Sequence, residues 1–544
     1  MACIIHSFME SHCLRLASLP HTTKLFAAYL EDFSRAKQFF AHAPDEAGVA
    51  EAARGTDLPA SARRAVVEVL REQNRTFGAD AATERSLERL AKGAVAIVTG
   101  QQVGLFSGPA YSFYKALTAI RWAEKLTRLG IDAVPVFWLA TEDHDLAEVN
   151  QCFWLTKNGT ERFSISAAER LAGRQVGEIK FGSEISGVVD AAARGLVGPY
   201  AAEVERALRE SYANGDSFGS AFGKLFARLL AGRGMILLDP LDRSLHRIAA
   251  PIFRRAIEDA VPLRDELLAR KKELDKAGFH AQVKVTTETT LLFMNVEGRR
   301  EPVRMRGGKF IAGGKSFSAD EILGVIEKTP EVFSPNVLLR AIVQDSLVPT
   351  AAYVGGPAEV AYMAQVEVVY RRLRTRMPAI LPRAGFTLIE SHVARLMKKY
   401  GLTLADVFEG RQRVRAGLAA GSLPRGLAGR FDGDEKVLRR LLKKYEKPLG
   451  RLDKTLSGAL TTAERKMVYQ FSKLRRKVGA AEGFRTGVLE KHERILLDAL
   501  YPLRAPQERA LCFLPFLASG GPGLLDELAK MADGSPPQHC VVVL

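Results

Sequence analysis

Four short apolar runs, at 94–99, 133–139, 235–238 and 348–354, restrict what this 544-residue chain can fold into more than any other feature. Each is rich in β-branched or large apolar residues, closes on glycine, proline or an acid, and leads into a helical pattern. Strands that alternate with helices predict an α/β fold with a parallel sheet covered on both faces. Ligands of such sheets bind outside the carboxyl ends of the strands, so the residues that follow each run are the ones to read for function.

Other segments surround this pattern. Residues 22–42 and 57–92 carry helical periodicity, with Leu25, Tyr29, Phe33, Phe39 and Phe40 on the apolar side of the first. Residues 151–185 read as a small β excursion followed by helices. Residues 282–317 alternate strongly and hold turn signals at Glu297-Gly298 and Gly307-Gly308, which predicts an antiparallel meander. The GGKS at 313–316 falls within it. Gly308 lies one residue too far upstream for a phosphate loop, so that motif is set aside.

Charge separates one further region. The chain carries a net charge of +16, and residues 391–504 alone hold 26 Lys+Arg against 12 Asp+Glu. The same region contains a heptad seam, Leu438, Leu442, Tyr445, Leu449, Leu452, Leu456, Ala459 and Ala463, continued by Met467, Phe471, Leu474, Val478 and Ala481. It predicts an antiparallel coiled coil or helical arm with a solvated basic face, kinked or bounded at Pro448, and a homodimer through the seam. Aromatics do not interleave with the basic residues, so a nucleic-acid platform is disfavoured.

No stretch approaches the roughly 18 apolar residues of a membrane span. The five cysteines (Cys3, Cys13, Cys152, Cys512, Cys540) form no C-x-x-C pair, and a sparse, odd set fits a reducing compartment. The first twenty residues interrupt their apolar positions with His6, Glu10, His12 and Arg15 and do not read as a signal peptide, so a cytoplasmic protein is expected.

Three strand ends carry chemistry. The first run leads into Gly100-Gln101-Gln102, then Gly104 and Ser107-Gly108-Pro109, a helix start suited to an anion, with Lys115 near the first turn. The second leads into Thr141-Glu142-Asp143-His144-Asp145, then Glu148. Crowded acids beside a histidine point to shifted pKa values, a bound amine or cation, or a proton acceptor. The fourth leads into Tyr353-Val-Gly355-Gly356-Pro357-Ala-Glu359, again a glycine-proline helix start with an acid in its first turn. Candidate catalytic residues are His144, Asp143, Asp145 and Lys115. Candidate substrate-binding residues are Gln101, Gln102, Ser107, Gly108, Glu142, Tyr353, Gly355, Gly356 and Glu359, and no tightly bound metal is expected.

The segments TGQQVGLFSGPAYSFYKA, PVFWLATEDHDLAEVNQ, VPTAAYVGGPAEVAYMAQ and LPRAGFTLIE resemble the cysteine ligase of bacillithiol biosynthesis, the BshC family. The resemblance runs from LPHTTKLFAAYL at 19–30 to PQERAL at 506–511. It implies a Rossmann-like parallel-sheet core with inserted connecting elements and a long helical coiled-coil arm that mediates dimers. The corresponding division is 1–150 for the N-terminal helices and first half of the core, 151–232 for an inserted connecting element and 233–279 for the core's continuation. An antiparallel β insertion at 280–330, completion of the core at 331–390, the basic arm at 391–504 and a returning C-terminal segment at 505–544 follow. The resemblance also implies an amide-forming ligase that joins cysteine to glucosaminyl malate, with ATP or another nucleotide bound. A carboxylate acylates an amine only once activated, as an adenylate or an acyl phosphate, and the developing charge then needs fixed donors such as the N–H groups at 108–110 and 355–358. A basic nucleic-acid-associated protein and a metal-dependent hydrolase built on the EDHD cluster are the competing expectations.

Overall fold

The computed structural model describes residues 11–20, 22–56, 58–166, 171–373, 376–421, 425–532 and 537–544; the expectation drawn from residues 1–10 lies outside them. Its centre is a sheet of five strands: β1 (Val95–Gln101), β2 (Ala133–Leu139), β3 (Ile236–Leu238), β4 (Thr350–Gly355) and β5 (Ala379–Pro382). The order is β5-β4-β1-β2-β3 and every pairing is parallel. The chain walks outward from β1 to β3, then crosses back to β4 on the other side. That reversal makes a topological switch point between β1 and β4, where the first helices on the two sides of the sheet diverge and leave a crevice.

Alternation along β1 feeds two cores. Val95 and Ile97 pack with Phe113 and Leu117 of the helix Tyr111–Arg128. Ala96 and Val98 pack with Val360 and Met363 of the helix Pro357–Leu373. Burial on both faces explains why these strands read as continuous apolar runs, each large side chain contributing about 1.5–3 kcal/mol. β5 is a four-residue run among prolines, too short for the pattern to reveal it.

The insertion forms a second five-stranded sheet, antiparallel throughout, in the order 315–317, 309–312, 299–306, 289–296, 333–335. Glu297-Gly298 and Gly307-Gly308 turn with positive φ at both residues, as two-residue hairpins of right-handed strands require. Gly313-Gly314 makes the same kind of turn, so GGKS is a hairpin tip, and Lys315 lies 3.3 Å from Glu297 at the surface.

The end of the chain returns to the core. Gln538–Val543 pairs in parallel with Gly385–Ile389 and antiparallel with Ser11–Arg15, and Cys13 and Cys540 are joined across that last pair by a disulfide. The sparse, odd set of cysteines predicts a reducing compartment; with one pair joined, the cysteine count carries no argument about compartment. Upstream, the buried Arg383 grips Glu508 through two hydrogen bonds of 2.8 and 2.6 Å.

The basic region is a hairpin. Helices Arg425–Lys443 and Glu446–Leu452 run out, the chain reverses at Asp453, and Lys454–Thr486 returns. Arg439–Glu464 and Arg475–Asp432 ion pairs and a Phe431–Phe471 ring contact tie the two sides in antiparallel register. The heptad seam therefore does not run straight through a single helix: its two halves fold onto each other. Leu442 is buried by this closure, while Leu452, at the reversal, is 78% exposed. Pro448 is tolerated because it sits in the first turn of its short helix, where its missing N–H has no intrahelical partner to lose. No helix among the described residues is long and apolar enough to cross a membrane.

Candidate functional site

A cavity of about 870 Å³ opens at the carboxyl ends of β1, β2, β4 and β5, roofed by the antiparallel sheet. Its lining includes Gln101, Gln102, Lys115, Glu142, Asp143, His144, Tyr353, Gly356 and Glu359, so most of the strand-end residues read from the sequence converge on one crevice.

On the β4 side, Gly355 must be glycine because a Cβ there would lie 2.9 Å from the Cβ of Glu359. The carboxylate of Glu359 turns back into the crevice floor. It accepts from the Tyr353 hydroxyl at 2.6 Å and the Gly356 N–H at 2.8 Å, and pairs with Lys115 Nζ at 2.5 Å. Lys115 Nζ also donates to Gly100 O and Gln101 Oε1, both at 2.8 Å. All three ammonium protons are thus engaged with the protein, and Lys115 acts as a buried charge joining β1 to the helix after β4. Burial lowers its pKa, opposed by Glu359, and the Glu359 carboxyl, which burial raises, is held below its ordinary range by Lys115 and Gly356. The helix Pro357–Leu373 makes its first bond from Val360 N–H to Gly356 O. The N–H groups of Ala358 and Glu359 therefore have no intrahelical partner, an arrangement that favours an anion.

On the β2 side the acids diverge. Glu142 is buried and bonds through Oε1 to His246 Nε2 at 3.0 Å, while His246 Nδ1 lies 3.0 Å from Asp242 O. Burial lowers the His246 pKa, but Glu142 and the Asp242 carbonyl outweigh it and the net shift is upward. Asp143 accepts from Gln102 Nε2 through one oxygen and from the His144 backbone N–H at 2.6 Å through the other. Burial raises its carboxyl, but His144, Arg300 and Gln102 together hold it well below the usual range. Because Gln102 must turn its N–H₂ to this carboxylate, its Oε1 faces away and has no partner among the described residues.

Four expected site residues lie elsewhere. Asp145 points outward and caps the helix Leu146–Val149, accepting the Glu148 N–H at 3.2 Å. Ser107 is fully buried against Cys512 and Tyr212, away from the cavity. Gly108 belongs to a left-handed run, Phe106 to Gly108, and the Ala110 N–H beyond it is taken by Leu511 O at 2.8 Å. The returning C-terminal segment thus occupies the helix start that the sequence offers to an anion. Gly355 stays beneath the lining, its carbonyl accepting the Arg383 N–H at 2.9 Å. Glu142, Asp143 and Asp145 thus diverge, and no group of three His, Cys, Asp or Glu that could hold a metal ion is found among the described residues.

Two family profiles cover the chain. "Bacillithiol biosynthesis BshC, N-terminal Rossmann-like domain" matches residues 9–384 and "Bacillithiol biosynthesis BshC, C-terminal coiled-coil domain" matches residues 386–544. The chain belongs to the BshC family. Curated BshC relatives carry the name "Putative cysteine ligase BshC". That of Koribacter versatilis is 40% identical, covering 98% of this chain and all of its own length. That of Solibacter usitatus is 36% identical over 96% of this chain and 97% of its own. That of Chlorobaculum tepidum is 33% identical over 89% of each. The BshC profiles agree with the observed Rossmann-like sheet and helical hairpin.

The largest contribution that sequence reading missed in this BshC-family site is its cations. Lys284, Arg300, Arg304, Arg340, Arg383 and Arg509 join Lys115 in the lining, seven basic side chains against the carboxylates of Glu142, Asp143, Glu148 and Glu359. Arg300, Pro302 and Arg304 share parity on the strand Arg299–Arg306, so strand alternation places them on one face. Glu148 stands at the rim, its carboxyl raised by burial and by Asp143 and Asp145.

The His246–Glu142 pair has a consequence in pH. A histidine whose folded pKa is raised contributes stability that is complete below its unfolded pKa of about 6.5 and is lost as pH rises through the folded value. His246→Gln is expected to lower stability by about 2–3 kcal/mol at pH 6. Urea melts should show that difference shrinking steadily toward pH 9, and a difference that grows with pH would contradict the assignment.

Proposed function

We propose that this chain joins the carboxyl group of cysteine to the amine of glucosaminyl malate, the amide-forming step that completes bacillithiol. The observation that carries the reading is the cation-rich cavity at the switch point between β1 and β4, within a chain that matches cysteine-ligase relatives along nearly its whole length. Both substrates carry carboxylates, and the excess of Arg and Lys in the lining suits them.

A nucleoside triphosphate is the proposed co-substrate in the same lining. The open N–H groups at Ala358 and Glu359, with Arg509 in the same lining, would hold its phosphates. When bound, it supplies the leaving group that a free carboxylate lacks. The chain's own part is to orient and to move a proton. The Glu142 oxygen not bonded to His246 is an acceptor in the lining for a ligand N–H. The attacking amine must lose a proton, and Glu148, whose raised carboxyl suits an acceptor, stands at the rim. The cationic lining would balance charge that develops on the acyl oxygen. Asp143, held ionised by its neighbours, orients Gln102.

The test is to supply purified protein with cysteine, glucosaminyl malate and ATP and to identify every product by mass spectrometry. A thiol product equal in mass to the two substrates less one water, formed with AMP or with ADP, is the expected result. Consumption of neither substrate would refute the reading. We further propose that the protein works in the cytoplasm as a homodimer joined through the hairpin arm, whose outer face exposes Val437, Leu441 and Tyr445 at four-residue spacing.

A further inference from the structure

We infer that Arg300 is a positioning residue that fixes His144 with its ring proton on Nε2, so that this histidine presents a hydrogen-bond donor to the bound substrates and is not the group that takes the amine proton. The inference rests on the ligase reading only for what that donor meets; the tautomer itself is a property of the protein.

The geometry is specific. His144 Nδ1 lies 3.0 Å from Arg300 Nη1. A guanidinium has only donors, so a ring nitrogen facing it at hydrogen-bond distance accepts, and the neutral imidazole then carries its hydrogen on Nε2. The alternative partner for Nδ1 is Asp143 Oδ1, at 3.4 Å. That is beyond the usual range, and the same oxygen already accepts the His144 backbone N–H at 2.6 Å. Arg300 cannot easily swing aside. Its Nε donates to Ser334 Oγ at 2.9 Å and its Nη2 to Pro335 O at 2.8 Å. The guanidinium carbon lies 3.8 Å from the centroid of the Phe293 ring, which His144 also touches, with centroids 5.7 Å apart. Arg300 is only 9% exposed. The antiparallel roof thus clamps one nitrogen of a histidine that comes from the end of β2. A proton arriving on Nδ1 would set two N–H donors against each other across 3.0 Å. Nε2 already holds its hydrogen and can only give.

The charged groups around the ring are Arg300 from the roof and Asp143 from its own loop, and both act on the Nδ1 side. What remains for Nε2 is to donate to an acceptor within the cavity, such as a carboxylate or phosphate oxygen.

The test reads the tautomer directly. The full chain is labelled with ¹⁵N-histidine, and the His144 ring signals are assigned by their loss in His144→Gln. At a pH where the ring is neutral, the expected pattern is a protonated Nε2 and an unprotonated Nδ1. A protonated Nδ1 overturns the inference with no reference to activity. Arg300→Met should move the tautomer ratio toward Nδ1–H at least fivefold; an unchanged ratio in the folded variant would also overturn it. In the ligase assay, His144→Gln, which keeps an N–H donor, is expected to stay within about tenfold of wild type with the same pH profile. His144→Ala should fall about 100-fold, in the range of one lost transition-state donor. A glutamine variant as inactive as the alanine one, with an altered acid limb, would restore the proton-acceptor role. Absence of ligase activity in wild type, with the Nε2–H tautomer observed, would refute the proposed function and leave the Arg300 assignment standing.

Discussion

Lys115→Met is expected to lower folding stability by about 3–5 kcal/mol and ligase turnover by at least 100-fold, the cost of removing one partner from a buried ion pair. The ammonium is 2% exposed and binds Gly100 O, Gln101 Oε1 and the Glu359 carboxylate at once. Without it Glu359 keeps only the Tyr353 hydroxyl and the Gly356 N–H against its buried charge. Gly100 and Gln101 also lose the contact that sets the end of β1 against the helix after β4. Urea denaturation of Lys115→Met, Glu359→Gln and the double variant separates the two effects. The double variant should recover more than half of the lost stability, because the stranded charge is gone. Its turnover should remain low, because the floor of the cavity has lost its charge pair. A Lys115→Met protein of wild-type stability would mean that the pair is not formed.

The second large effect concerns assembly. Val437→Asp combined with Leu441→Asp is expected to convert a dimer into a 59.6 kDa monomer by light scattering, a change in dissociation constant of at least 1,000-fold, or about 4 kcal/mol. Both side chains stand on the outer face of the helix Arg425–Lys443, 59% and 49% exposed, and neither closes the hairpin. Aspartates there would have to be desolvated at an interface while the isolated arm tolerates them. Leu442→Asp is the control. That residue is buried inside the hairpin, so its variant should lose helicity as well, whereas the outer double variant should keep its circular dichroism. An outer variant that stays dimeric would exclude this face.

The two halves of the structure were not equally legible. β1, β2, β3 and β4 show in the sequence because strands buried on both faces must be apolar along their whole length. β5 does not, since Ala379–Pro382 has the length of a loop. The crevice residues between 100 and 102, between 142 and 144, and between 356 and 359 follow from the strand-end rule and local chemistry. Ser107 and Gly108 look like members of the same set because the residues that cover them, Leu511 and Cys512, come from 400 positions away. The cations are hidden for the same reason. Arg300, Arg340, Arg383 and Arg509 sit in four separate segments, and only the tertiary fold makes them neighbours. The seam is legible as an antiparallel coiled coil or helical arm, but not where it reverses: heptad spacing is kept across Asp453, so periodicity alone does not mark the turn.

The position of β1 at the centre of the sheet also has a consequence for how the chain is made. Thr99 of β1 donates to Val354 O of β4 across 255 residues. A ribosome adding about 5–20 residues per second leaves that edge of β1 without its partner for roughly 13–50 seconds after the strand emerges. Through that interval Val95, Ile97 and Val98, all buried in the finished sheet, belong to an open strand edge of the kind that pairs with other chains. The helical hairpin, whose contacts are local, can close in far less time. Synthesis therefore exposes the sheet-bearing half of the molecule longest, and yield in the cell should depend on chaperone cover of the nascent chain before residue 350 more than on any property of the arm.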